Sequence, residues 1–550
     1  MRPNWRTGGD LALLILGTCL YTLASPPYNW SGAAWIALAP LFLVVRGKTP
    51  GQAFVAGLFY GILFCVGIAH WVYDAISAYF PLPFPLDALC TLLSYSVFVG
   101  AYVGGAAAGS CVLMRRGSPL LRFLGIPALW VIGEFARSTF LSGFSWELLG
   151  YTQHQHLLLI QIADISGVYG LSFLLAFSGY LVAEIVSSCQ LSQRFVPRIP
   201  RAPFPWLALY ALAAGVTIIL GYGAFRLKQE QSPSAMSSIK LALVQGNIPN
   251  EQRWRRVHYA RTLLQYAAIS QQGTRNEPPD LVVWPEFALG FYPDKEPPLR
   301  AHLSQLTRQL NAPLLFGAPR TDESDGVTHV YNSAYLLAHD GTLVGVYDKT
   351  RLLPFAEAWP AWLPPLLPHT PELPTDFTAG DRSTIFPLRK GAFGVLICYE
   401  VTYPSLARRL VQEGAHFLVN PSNESWLGGE AAAAQHFSMA VFRAVENRRF
   451  LARAATAGVS GFIDPFGRPY QLSARQEGVA PGAVFPRHEL TIYTRYGDWF
   501  IFLCIGFSLF ALLHTHGVFF RAAHNIVPAP DSVLATAPRW DRSAIEGKKP

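Results

Sequence analysis

Charge is what this chain has least of. Asp, Glu, Lys and Arg make up 14% of its 550 residues, where a soluble globular chain carries about a quarter, so membrane segments are expected. Apolar residues fill the gap at 51% of the total. Many gather in runs that approach the roughly 20 residues a helix needs to cross a hydrocarbon core. Eight such runs are read at residues 11–24, 33–45, 53–76, 88–114, 124–140, 168–186, 206–225 and 499–520. The first is not a cleavable signal peptide on this reading, because six further apolar runs follow it closely and no small-residue cleavage site ends it.

Lys and Arg are missing altogether from the loops at 26–31 and 79–87. They gather instead in the alternate loops: Arg2 and Arg6, Arg46 and Lys48, Arg115, Arg116 and Arg122, then Arg194, Arg198 and Arg201. Cytoplasmic loops carry this excess, so the reading puts the chain after residue 225 outside the cytoplasm, after seven crossings. An eighth returns it to a basic tail. The net charge of +8 then follows from topology and contact with inner-leaflet lipid, and no nucleic-acid partner is needed. The expected divisions are a seven-helix membrane domain at 1–228, an extracytoplasmic domain at 229–495 opening on a linker at 229–238, the eighth helix at 496–524, and a disordered cytoplasmic tail at 525–550.

Cysteine is nearly absent from the soluble part. Six of the seven (Cys19, Cys65, Cys90, Cys111, Cys189 and Cys504) lie in or beside apolar runs, where a thiol behaves as a small hydrophobe. Only Cys398 lies in the soluble domain. With no partner for a disulfide, it is either a buried inert thiol or one kept for its nucleophilicity.

Between about 239 and 490 short strand-like runs alternate with amphipathic stretches. Strands are predicted at 239–245, 281–284, 313–317, 393–397 and 417–420, and a hairpin at 331–337 and 342–347 around Asp340-Gly341. Helices are predicted at 254–270, 299–310, 404–413 and 435–447. The alternation indicates a layered α/β domain large enough for its own core.

Three polar residues close strand-like runs: Glu286 in LVVWPE, Lys349 in VGVYDK and Cys398 in FGVLIC. Strand ends present side chains into the crevice of an α/β sheet. A carboxylate that removes the thiol proton, and a cation that stabilises negative charge, together make a nucleophile able to form a thioester. Each residue also has an ordinary alternative: a helix-start carboxylate, a solvated loop charge and a core thiol.

The motifs LALVQGNIP, LVVWPE, YDKTRLLPFAE, GVLICYE and QHFSMAVFRAVENRRFLARAATAGVSGFIDPFG, in this order, resemble those of the nitrilase superfamily. In detail, with eight apolar runs and GFSWELLGY after the fifth, the chain resembles the apolipoprotein N-acyltransferase family of bacterial inner membranes. The resemblance implies an eight-helix transmembrane bundle carrying an αββα sandwich, with Glu286 as general base, Lys349 as oxyanion stabiliser and Cys398 as nucleophile. It implies that an acyl chain passes from a phospholipid, typically phosphatidylethanolamine, through a thioester. The acceptor it implies is the α-amino group of a lipoprotein's N-terminal diacylglyceryl-cysteine. No metal and no soluble cofactor are implied, and a monomer is expected. Glu357 and Glu400 fit the family's supporting carboxylates, which orient Lys349, and Tyr399 fits a place in the site through its backbone. Trp254, Trp146 and Trp426 are carried over as substrate contacts, with an interface anchor as the alternative for Trp254.

The chain departs from the family pattern at Asn423-Glu424-Ser425-Trp426-Leu427-Gly428, at the alanines before Gln435-His436, and at Ala356 in PFAE. Glu134 and Glu147 are unusual at a membrane, and either line a polar cavity or pack helices. Two rival functions remain at this stage. A membrane-tethered amidase shares the triad but gives no reason for so many helices, and a transporter with an external domain calls for more paired charge in the apolar runs.

Overall fold

The computed structural model describes residues 7–74, 83–91, 96–141, 143–189, 203–229, 238–324, 326–354, 356–358, 377–425, 429–474 and 476–515. Trp426, most of the expected linker, the expected tail, and parts of the apolar runs at 53–76, 88–114 and 499–520 lie outside them.

Among the described residues five helices are long and apolar enough to cross a membrane: Pro50–Ile68, Val97–Arg116, Pro119–Thr139, Val168–Ser188 and Trp206–Lys228. The expected crossings at 11–24, 33–45 and 499–520 correspond to shorter apolar helices, Gly8–Ala24, Ser31–Val45 and Trp499–Thr515. This is a membrane protein, with five of the eight expected crossings matched by helices of spanning length. Small residues bring two of them together. A Cβ on Gly61 would lie 2.5 Å from the Gly100 Cα, and one on Gly57 would lie 2.8 Å from the Gly104 Cα, so helices Pro50–Ile68 and Val97–Arg116 meet backbone to backbone.

Among the described residues twelve strands build the domain after residue 238: β1 (Ile239–Gln245), β2 (Leu281–Val283), β3 (Leu314–Ser324), β4 (Val327–Leu337), β5 (Leu343–Asp348), β6 (Ile385–Leu388), β7 (Gly391–Val395), β8 (Phe417–Ser422), β9 (Leu451–Ala455), β10 (Val459–Ile463), β11 (Pro469–Ala474) and β12 (Gly478–Val484). They form two six-stranded sheets, ordered β12-β1-β2-β3-β4-β5 and β11-β10-β9-β8-β7-β6. Pairing of β1 with β12, Ile239 against Val484, closes the first sheet with the far end of the domain.

Period-two alternation decides which side chains meet. Leu241 and Leu243 of β1 turn toward Phe393, Val395, Phe417 and Val419 of the second sheet. Ala242 and Val244, between and beside them, pack outward on helices Tyr259–Thr274 and Pro297–Leu310. The outer face of the second sheet is covered by helices Pro404–Gln412 and Glu430–Asn447, and this layer is continuous with Val131, Trp146, Tyr151, Val168 and Leu171 of the membrane part. The result is an αββα sandwich whose second helical layer is also the seat for the membrane bundle.

The helix expected from Trp254 starts instead at Tyr259. Arg253 turns inward, nearly fully buried, and donates to the Ile248 carbonyl at 3.2 Å. This breaks the helical run, so Trp254 stands at a bend. Glu134 on helix Pro119–Thr139 accepts from Trp130 Nε1 at 3.0 Å and Leu149 N at 2.8 Å. With Tyr21, Tyr60, Tyr102 and Arg137 it lines a pocket between the helices. Glu147, buried in the following loop with φ of 45°, offers its carbonyl to Tyr21 and Arg137, and burial pushes its carboxyl up to about 8.

Candidate active site

Strands β2 and β7 are parallel to their neighbours β3 and β8, so the segments leaving them emerge at the crevice end of the sheets. After β2 the chain reads Trp284-Pro285-Glu286, and Phe287 takes a left-handed φ of 47°. That bend needs an adjacent residue without a side chain. A Cβ on Gly317 of β3 would lie 2.6 Å from Phe287 N and 2.7 Å from the Glu286 Cα.

Lys349 follows β5, and its N–H extends the β4–β5 ladder by donating to Asn332 O at 2.8 Å. Asn332 shares the parity of Ala334 and Leu336, which face the inter-sheet core, so its amide also points inward. The Lys349 ammonium, Glu286, Glu357 and Asn332 therefore converge. Lys349 Nζ lies 3.0 Å from Glu286 Oε1 and 2.8 Å from Glu357 Oε2. Asn332 Nδ2 donates to Oε1 of both carboxylates at 2.7 Å. Leu353 N donates to Glu357 at 2.8 Å and Asn423 N to Glu286 Oε2 at 2.9 Å. Burial alone would lower the Lys349 ammonium, but the two carboxylates outweigh it and hold the group well above its ordinary value. It stays charged.

Cys398 opens a short turn of 3₁₀ helix after β7 with φ of 49°, a conformation that non-glycine residues adopt at a cost and that marks strained sites. Its Sγ lies 3.4 Å from Ser422 Oγ and 3.8 Å from Asn423 O, both at the end of β8. Asn423 thus joins the two halves: its N–H holds Glu286 and its carbonyl faces the thiol. Burial pushes the Cys398 thiol well up, the Glu286 charge pushes it further, and Lys349 opposes both. The resting site holds a neutral thiol and an ammonium, with Glu286 held by Lys349, Asn332 and the Asn423 N–H.

Glu400 does not touch the ammonium. Its carboxylate accepts from Thr350 N at 2.7 Å, Arg351 N at 3.1 Å, Ile397 N at 2.8 Å and Tyr347 OH at 2.8 Å, and so ties the Lys349 loop to the Cys398 turn. Burial raises its carboxyl above the usual range.

Aromatic side chains flank the centre on two sides. Half-buried Trp254 meets Phe287 edge to face at 5.0 Å, and Phe287 packs on Phe377 at 5.5 Å. Trp146 is 3% exposed and lies under the Cys398 turn, hereafter the elbow, stacked on His436 at 5.4 Å and Tyr399 at 6.4 Å. Trp426 lies outside the described residues.

Asn332 and Ser422 of the constellation escape sequence reading, and Asn423 and His436 stood in or beside the departing motifs with no role in the site assigned to them. Asn332 had a signal, since a carboxamide at a core-facing position of a strand needs partners. Glu424, part of a departing motif, is buried against Arg453, and its Oε1 lies 2.8 Å from His436 Nδ1. It supports the site from inside.

Residues 17–181 match the family model of the apolipoprotein N-acyltransferase N-terminal domain, and residues 240–485 match that of carbon-nitrogen hydrolases. A Geobacter metallireducens protein named apolipoprotein N-acyltransferase is 36% identical over 504 residues, covering 90% of this chain and 93% of the relative. An Azotobacter vinelandii protein of the same name is 32% identical over 507 residues, covering 90% and 93%. Among solved structures, Saccharomyces cerevisiae Nit3, a member of branch 10 of the nitrilase superfamily, is 23% identical with a TM-score of 0.36, covering 45% of this chain and 90% of that one. An amidase from Nesterenkonia sp. is 19% identical with a TM-score of 0.33, covering 47% and 95%.

Proposed function

The chain belongs to the apolipoprotein N-acyltransferase family, and on that premise we propose that it moves an acyl chain from a membrane phospholipid to the α-amino group of a lipoprotein's N-terminal diacylglyceryl-cysteine. The reading places residues 1–228 and 496–524 in the bacterial inner membrane, 229–495 on its periplasmic side, and treats the protein as a monomer. One observation carries it: the helical layer behind Cys398 shares a single apolar core with the membrane helices, so the domain that carries the thiol is seated on the membrane part of the chain.

In the first half-reaction Cys398 Sγ attacks the phospholipid ester carbonyl while Glu286 takes the thiol proton. Lys349 and the Tyr399 N–H stabilise the oxyanion. The C–O bond breaks, the proton passes from Glu286 to the departing alkoxide, and a lysophospholipid leaves. In the second, the neutral amine attacks the thioester. Glu286 takes its proton, the C–S bond breaks as the amide forms, and the proton returns to sulfur. Glu357 and Asn332 hold Lys349 and Glu286 at their distances. Trp254 contacts the lipid substrate in this reading, and the family resemblance implies the same role for Trp426.

The test is to incubate purified protein with phosphatidylethanolamine and a synthetic diacylglyceryl-cysteine peptide. Lysophospholipid and an N-acylated peptide in equal amounts are expected. Free fatty acid with an unmodified peptide would make the chain a hydrolase and end the proposal.

A further inference from the structure

Helix Glu430–Asn447 lies between the second sheet and the membrane helices, and two neighbouring residues on it face opposite duties, as adjacent positions on a helix point in different directions. Gln435 turns to the membrane part. Its Nε2 donates to Pro26 O at 3.1 Å and to Ile68 O at 2.9 Å. Its Oε1 accepts from Trp71 Nε1 at 3.0 Å and Trp146 Nε1 at 2.8 Å. All four hydrogen-bonding positions of the amide are used, and since indoles only donate and carbonyls only accept, the orientation of the amide is settled by its partners. One of them, the Ile68 carbonyl, closes helix Pro50–Ile68 and has no acceptor role left within that helix.

His436 turns to the elbow. Nε2 lies 3.1 Å from the Cys398 carbonyl, which can only accept, so this nitrogen carries the proton. Nδ1 lies 2.9 Å from Arg453 Nη2 and 2.8 Å from Glu424 Oε1. Trp146, already bonded to Gln435, stacks on both the His436 ring and the Tyr399 ring. The carbonyl of the strained Cys398 residue and the side chain that follows it are both held by groups keyed to the membrane helices.

We propose that Gln435, His436 and Trp146 are positioning residues through which the seated membrane helices set the geometry of the Cys398 elbow for attack. This rests on Cys398 being the nucleophile. The experiment is single-turnover acylation of the full-length protein by phosphatidylethanolamine, following the Cys398 adduct by intact mass across phospholipid concentrations. His436→Phe keeps a ring and loses the donor, and the limiting rate is expected to fall about 100-fold, the usual cost of about 1 Å of misplacement. His436→Gln restores a donor near the Nε2 position and is expected to recover to within about tenfold of the parent protein. Trp146→Phe, which keeps stacking but loses the link to Gln435, is expected to slow acylation about tenfold. Half-saturation by phospholipid should not move in any of them. A His436→Phe protein that acylates at the parent rate, a Gln variant no better than Phe, or a defect confined to phospholipid saturation would overturn the proposal. If His436→Phe does not fold, Trp146→Phe decides by the same readout. Absence of any adduct in the parent protein would instead remove Cys398 as the nucleophile, and the proposal with it.

Discussion

Replacing Lys349 by methionine keeps most of the stem and removes the ammonium that lies 3.0 Å from Glu286 and 2.8 Å from Glu357. The two carboxylates then share only the Asn332 amide, 2.7 Å from an oxygen of each. At a separation of about 5 Å and an effective dielectric of about 20, their repulsion is about 3 kcal/mol, or about two pKa units. One of the pair therefore takes up a proton near neutrality, where an unfolded glutamate is fully ionised. The folded variant then binds more protons than the unfolded chain, so its stability falls as pH rises through the pair's titration and is regained as pH falls. Unpairing buried charges costs about 3–5 kcal/mol, on the order of 10 °C in thermal midpoint for a domain of this size. The purified variant in detergent should show that deficit at pH 8, and about half of it at pH 5.5. The parent protein keeps Lys349 charged throughout, because its ammonium is held well above the ordinary value. Acylation of Cys398 should fall at least 1,000-fold, roughly the loss of an oxyanion partner together with a base now carrying a proton. An equal midpoint at pH 8, a deficit independent of pH, or acylation within about tenfold of the parent would refute the reasoning.

Three further outcomes follow from the geometry. Because burial and Glu286 hold the Cys398 thiol well above its ordinary value, its labelling by iodoacetamide should climb about tenfold per pH unit from 7 to 9; a plateau in that window would reveal a preformed thiolate. Gly317→Ala puts a methyl 2.6 Å from Phe287 N, so acylation should drop about 100-fold while the far-ultraviolet circular dichroism stays unchanged, and an active variant would show that the Glu286 bend tolerates displacement. Gly61→Leu forces apart helices that meet at Gly100, whereas Gly105→Leu meets open space. Only the first should lose thermal stability in detergent, and equal behaviour of the two would contradict the close helix packing.

Five membrane helices and strands β1 to β5 were legible because their determinants are local. The run IKLALVQ alternates between two cores and forms β1 over the predicted residues. Strands β6 and β9 to β12 were not predicted as strands. LARAA and VSGFI carry little periodicity, and what makes them strands is pairing with β8 and with one another. Glu286, Lys349 and Cys398 were legible from strand ends and from the family motifs, and the structure brings them to one crevice. Glu400 was expected to orient Lys349 and instead holds the backbone of Thr350 and Arg351, a distinction that residue type cannot carry. Gln435 and Asn332 were missed for the same reason: an amide's value here lies in partners up to 409 residues away. Trp146 was read as a substrate contact, and its burial beneath Tyr399 shows what a motif leaves open, since the same ring serves as a wall or as a foundation.

On the proposed reading the Glu286 and Lys349 pair, buried in a domain whose helical layer packs on the membrane helices, makes one thiol an acyl carrier. Intact mass of the protein after exposure to a single defined phosphatidylethanolamine tests it most directly. The expected result is a gain equal to one acyl chain less one hydrogen, confined to the Cys398 peptide, lost on mild base, and discharged by the diacylglyceryl-cysteine peptide. An unchanged mass, or the same gain in Cys398→Ala, would contradict it.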